Sequence, residues 1–214
     1  MTQPAEPDAV REQPLTARGR RTQAALVVAA RRVFERDGFL EARVTDIAEE
    51  AGVAHGTFYT YFDSKEEVFR ALIVALMEET LSVARTRRDG PPVSPYQAIH
   101  EANHAYVVMF RGNARLMLIW QQVAGSNPVI GELLRQQKAT FVQRAERGLR
   151  RLQDQGLADR DLDPGYVAKA LGGMVSEFCT QWFGHDLDFE LERSVDVLTQ
   201  IWARAIGVEV PAGR

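Results

Sequence analysis

Residues 45–62, TDIAEEAGVAHGTFYTYF, decide the reading of this chain. Ile47, Ala48 and Ala51 fall on one side of a short helix, and Gly52 permits a tight turn after it. Val53 plugs the gap, and a second short helix begins near Ala54. Phe58 and Phe62 are four residues apart and face inward. His55, Gly56, Thr57, Tyr59 and Thr60 are left outside. Two short helices joined by a glycine turn make a helix-turn-helix.

The outward set suits a DNA groove. Gly56 lets the backbone approach closely, and Thr57 is suited to a base edge or a thymine methyl. Tyr59, Tyr61 and Lys65 have the reach for phosphates, contacts that set register. The start of the helix after Ser64 offers backbone N–H groups to an anion. Arg20 and Arg21, upstream, are expected to lie along the DNA backbone or enter a minor groove.

Outward from this stretch, the helical pattern continues. Before it, residues 15–39 carry Leu26, Ala29, Ala30, Val33 and Phe34 at helical spacing, with Gly38 as the stop. After it, Ser64 and Glu67 form a capping box for a helix running to about Arg88. DGPPVSP, residues 89–95, breaks that helix and is the best domain boundary. Five further helical segments are expected at about 95–111, 113–124, 128–155, 164–184 and 188–207. No run alternates long enough for a strand. The expected fold is all-α: a helix-turn-helix unit (17–62), a connecting helix (63–90) and a helical bundle (91–208). Residues 1–16 and 209–214 read as tails.

The chain has 214 residues, is 45% hydrophobic and carries a net charge of −3. A nucleic-acid surface must therefore be a local patch. The single cysteine, Cys179, excludes a disulfide framework and reads as core. The N-terminus has no apolar signal region, and the longest apolar run, 71–77, is too short to span a bilayer. These features point to the cytoplasm, with no membrane partner.

The chain resembles the tetracycline-repressor-like (TetR) family of bacterial regulators. The likeness rests on ARRVFERDGF, on VTDIAEEAGVAHGTFYTYFDSKEEVF and on the helix spacing between them, over about residues 18–80. It implies a homodimer that sets one short helix of each subunit in a major groove of a palindromic operator. It also implies repression relieved by a small ligand, and no enzymatic role or cofactor. Three positions depart from the family pattern. Arg43 and Ala54 stand where capping Thr and Ser are common, and His55 stands where many members carry Lys or Arg. Arg43 and Thr45 join the DNA-facing candidates.

In the C-terminal part, polar residues interrupt apolar helix faces: Asn103 among Tyr106 and Phe110, Gln137 beside Phe141, and Glu177 on a helix of small and apolar residues. Buried polar groups need partners, either side chains or a ligand in a bundle cavity. With Met109, Met117, Trp120, Gln121, Phe178 and Trp182 as lining, the expected effector is lipophilic: a fatty acyl, steroid-like or aromatic compound. The 164–184 helix is apolar nearly all round, so it is expected to be buried on all sides. Together with 188–207 it is the expected dimer interface, through Val167, Leu171, Val175, Leu191, Val195, Leu198 and Trp202. The alternative is that both helices only close the monomer core.

HEANH, residues 100–104, matches the H-E-x-x-H spacing of zinc peptidases. The extended form of that motif needs Gly at 107 and His at 110, where this chain has Val107 and Phe110. No metal site is expected, and the stretch reads as a solvated helix flank. A two-histidine metal patch is the lesser alternative. The leading reading is a ligand-responsive repressor. The second is a DNA-binding interaction protein on the same fold with no effector.

Overall fold

A computed structural model describes residues 16–86 and 93–211. Among the described residues the structure is all-helical: α1 (Ala17–Glu41), α2 (Val44–Glu50), α3 (His55–Phe58), α4 (Lys65–Thr86), α5 (Pro95–Gly112), α6 (Ala114–Ala124), α7 (Pro128–Asp154), α8 (Pro164–Gly184) and α9 (Leu191–Ala205). No described helix is long and apolar enough to cross a membrane.

The helix starts are written into the chain. Asn127 Oδ1 accepts from the Val129 and Ile130 amides, and Asp163 Oδ1 from those of Gly165 and Tyr166. Each cap is followed by proline at the first helical position. Ser94 precedes Pro95 in the same way, accepting from Gln97 N at 3.2 Å. Thr16 caps α1 by accepting from Gly19 N at 3.1 Å, so it belongs to the fold rather than to a tail. The rest of the expected N-terminal tail, 1–15, and residues 87–92 and 212–214 lie outside the described residues. At the other end, Val208 is buried and Val210 packs beside it, which extends the fold past the expected boundary at 208.

One hydrophobic core runs from Leu26 of α1 to Leu198 of α9. Leu26, Ala30, Val33 and Phe34 are fully buried; Phe34 stacks on Phe39, and Phe69 meets both edge to face, with centroids 5.2–5.4 Å apart. α1 leaves helical geometry at Gly38, where φ is +79°, a conformation glycine adopts without steric cost. A smaller cluster, Leu149, Ala158, Ala203, Ile206 and Val208, closes the far end of the bundle. α1 also touches α6: the Arg115 guanidinium donates to the carbonyl of Arg36 at 3.0 Å.

Candidate nucleic-acid interface

The helix-turn-helix closes over its own core. Ile47, Ala48 and Phe58 are at most 1% exposed and Phe62 is 3% exposed. Gly52 makes the turn at φ +68°, and Val53 N donates back to Ala48 O at 3.0 Å. α3 is only four residues by its bonds, but Phe62 N donates to Phe58 O at 3.0 Å and extends the turn to Phe62.

His55, Gly56, Tyr59 and Thr60 are exposed on one side of this turn. The His55 and Tyr59 rings meet edge to face at 5.3 Å. Arg43 and Thr45 are exposed at the start of α2. Thr57 is half-buried, and Tyr61 packs partly against the core instead of joining the outward set. Neither Arg43 nor Ala54 supplies a side-chain cap. Asp46 compensates at α2 by accepting from Arg43 N at 3.3 Å, and at α3 the Ala54 carbonyl takes the Thr57 amide at 2.8 Å.

Lys65, expected at a phosphate, has its ammonium engaged within the fold. Its ammonium donates to the carbonyls of Phe39, Leu40 and Ala42 at 2.9, 3.0 and 3.2 Å, and lies 4.9 Å from the centre of the Phe39 ring. The physical reason is the end of α1, whose last carbonyls lack helical partners and attract a cation. The start of α4 is also taken. Ser64 accepts from Glu67 N at 3.2 Å, and the Glu67 carboxylate reaches back to Asp63 N at 2.6 Å.

Arg20 and Arg21 lie inside α1, exposed on its first turns, rather than on an arm before it. Further along, Arg32 and Arg36 are tied to acids: Arg32 to Glu50 at 3.1 Å and Arg36 to Asp37 at 2.7 Å. The bond to Arg36 holds the Asp37 carboxyl below the usual carboxylate range.

In the bundle, the polar residues expected to meet a ligand mostly meet one another. Asn103 donates to the Thr199 hydroxyl at 3.2 Å, and Gln121 to the Thr180 hydroxyl at 2.9 Å. Glu177 is exposed and accepts from Gln181, because its position on α8 points away from the bundle. Gln137 is half-buried on α7. Met117 is buried, and Trp120 donates to the Ile130 carbonyl at 3.4 Å. An aromatic chain fills the interior: Phe141 on Tyr106, Tyr106 on Phe110, Phe110 on Phe183, Phe183 on Trp182, and Trp182 on Phe178. Burial pushes the Tyr106 phenol up to about 12, against the opposing pull of a hydrogen bond with Ser176.

α8 is not buried on every side. Tyr166, Ala170, Gly173, Glu177 and Gln181 form an exposed stripe, and Tyr166 is 82% exposed. Of the residues expected at a dimer interface, three are buried within the monomer and four are half-buried. Val175, Val195 and Leu198 are core, Val167 and Leu171 pack in the second cluster, and Leu191 and Trp202 pack against the first. A helix that is apolar almost all round does not show in sequence which face its own monomer uses. The exposed apolar residues nearby are Phe189, Val197 and Ile201. The indole N–H of Trp202 is buried without a hydrogen-bond partner among the described residues. From sequence, Trp202 is expected at the dimer interface, and its N–H is not singled out.

HEANH is less solvated than expected. His100 and His104 are half-buried and face α9, with His100 Nε2 3.2 Å from Asp196 Oδ1 and His104 Nε2 3.6 Å from Glu192 Oε1.

Residues 26–72 match the family model of bacterial regulatory proteins of the tetR family. A relative, the HTH-type transcriptional regulator EthR of Mycolicibacterium smegmatis, is 30% identical over 125 residues, which is 55% of this chain and 58% of the relative. TtgR of Pseudomonas putida, also an HTH-type transcriptional regulator, is 36% identical over 74 residues, 35% of each chain. The chain thus spans between about a third and three-fifths of these two relatives. Two solved structures share the fold more fully. The fatty acid degradation regulator FadR of Bacillus halodurans has a TM-score of 0.74 at 22% identity, over 85% of this chain and 94% of that one. FadR of Bacillus subtilis, in complex with stearoyl-CoA, has a TM-score of 0.74 at 19% identity, over 86% and 98%. The matched segment is the one that builds the helix-turn-helix and the helix it rests on, and over it the chain is similar to bacterial regulatory proteins of the tetR family.

Proposed function

We propose that this protein is a ligand-responsive transcriptional repressor that binds a palindromic operator as a homodimer and is released by a lipophilic small molecule. The observation that carries the reading is the exposed ridge of His55, Gly56, Tyr59 and Thr60 over a closed helix-turn-helix core. Those side chains make few demands on the fold and are available for a groove. Arg43 and Thr45 flank the ridge, and Arg20 and Arg21 offer charge for the phosphate backbone.

For the dimer, the outward stripe of α8 and the exposed Val197 and Ile201 of α9 are the better surface. Ala170 and Gly173 let a second helix approach closely. For the effector, support comes from the aromatic interior and from the unmet Trp202 donor. A buried donor without a partner costs about 1–3 kcal/mol, which a ligand carbonyl would recover. The stearoyl-CoA held by the Bacillus subtilis neighbour makes long-chain acyl compounds the first class to test. Release follows only if the ligand prefers a state with the reading heads out of the roughly 34–36 Å spacing of successive major grooves.

The pairing of Asn103 with Thr199 and of Gln121 with Thr180 favours a second reading, a DNA-binding protein of this fold that answers to a protein partner. One experiment separates the two. Purified protein selects genomic fragments at about 0.15 M salt, where non-specific phosphate binding is weak. A recovered palindrome supports the regulator. Release of that palindrome by acyl-CoA, lost in Trp202→Phe, supports the effector. Retention of no motif removes both readings.

A further inference from the structure

The α5–α9 seam brings together four side chains that metal ions use, and the DNA-binding reading employs none of them. His100 and His104 are one turn apart on α5, with rings nearly parallel at an interplanar angle of 16° and centroids 6.4 Å apart. Glu192 and Asp196 are one turn apart on α9. The helices run in opposite directions, so His100 meets Asp196 and His104 meets Glu192. All four side chains keep contact with solvent: the imidazoles are 30% and 32% exposed and the carboxylates 55% and 62%.

We propose that His100 and His104, with Asp196 and Glu192, form a site for a divalent transition-metal ion that clamps α5 to α9. Two imidazoles at i and i+4 on one helix are a natural chelate for such an ion. Metal–nitrogen and metal–oxygen bonds of about 2.0–2.1 Å at a tetrahedral angle place neighbouring ligand atoms roughly 3.3 Å apart. The His100–Asp196 separation of 3.2 Å and the His104–Glu192 separation of 3.6 Å are close to that edge. Among the described residues no three of these groups yet converge on one point, because the two rings stand a full helical turn apart. Closure needs the imidazole planes to swing toward each other, a rotation that half-exposed side chains can make. The backbone beneath is already held, since Asn103 and Thr199 bond across the same seam. Imidazole with carboxylate suits zinc, nickel, copper or cobalt, whereas calcium and magnesium require oxygen ligands.

The test uses the full chain, stripped with chelator and transferred to a non-coordinating buffer. Titration calorimetry with Zn2+ and with Ni2+ should give one ion per chain. The melting temperature should rise by about 5–10 °C at an ion concentration a hundredfold above Kd. Mg2+ should do neither. Cu2+ should show electron-spin resonance coupling to two imidazole nitrogens. His100→Gln with His104→Gln should abolish all of this, and Asp196→Asn should weaken it about tenfold or more. His55→Gln with His185→Gln, which removes the other two histidines, should leave it intact. Unchanged binding in the 100/104 variant, or no binding to the wild-type chain, overturns the proposal. A folded far-ultraviolet spectrum for each variant separates lost ligands from lost structure. DNA selection plays no part in these readouts, so the two proposals fail independently.

Discussion

The side-chain amide of Asn103 donates to the hydroxyl of Thr199 at 3.2 Å, and that hydroxyl donates onward to the carbonyl of Val195 at 2.7 Å. Both residues are buried, on facing helices. Thr199→Val strands a buried amide and should cost about 1–3 kcal/mol. Asn103→Leu leaves Thr199 bonded to Val195 and should cost less. Denaturant unfolding of the singles and the double should show a double mutant closer to wild type than the sum of the singles predicts. Additive losses would mean the pair is not coupled.

Lys65 holds the end of α1 through three carbonyls. Lys65→Met should lower stability by about 1–3 kcal/mol, the range for losing hydrogen bonds from a charged donor at a partly buried site. The salt dependence of operator binding should keep its slope, because no phosphate contact is lost. A slope reduced by about one would show that Lys65 touches the backbone after all.

Tyr59 and Phe58 are neighbours with opposite duties. Tyr59 is 51% exposed, and Tyr59→Ala should weaken operator binding while the melting temperature stays within a degree or two. Phe58 is fully buried, and Phe58→Ala should cost about 3–5 kcal/mol of stability. Gel-shift titration beside a thermal melt distinguishes the two.

Cys179 should be inert in the folded protein. Burial pushes its thiol up to about 12, so almost no thiolate exists near neutral pH. Alkylation should be slow in buffer and fast in denaturant. The thiol also bears on alkaline stability. Its folded value lies above the ordinary one, near 9, so the native state holds the proton longer than the unfolded chain. Its contribution is complete below pH 9 and is lost as pH rises toward 12. Cys179→Ala should flatten the stability curve in that window.

Gly173 lies on the outward stripe of α8, and a side chain built there meets nothing within 4 Å in the monomer. Gly173→Glu should leave the helix content unchanged and convert a dimer to a monomer in sedimentation. An unaltered dimer would move the interface elsewhere.

The sequence by itself determined the helices and their ends. The Asn127-Pro128 and Asp163-Pro164 starts, the turn at Gly52 and the stop at Gly38 depend on a few contiguous residues, so they are legible without neighbours. The inward places of Phe58 and Phe62 follow from a four-residue period in the same way. Only the tertiary structure decided who meets whom. Lys65 finds the Phe39 carbonyl 26 residues away, and Asn103 finds Thr199 across 96. The carboxylates opposite HEANH come from a helix nearly as distant. The face α8 buries depends on α5, α6 and α7 packing against it, because its own residues are apolar nearly all round. Local periodicity says that a residue is apolar or polar at a given angle. Which partner satisfies it is settled by the packing of helices far apart in the chain, and a single sequence does not contain that geometry in readable form.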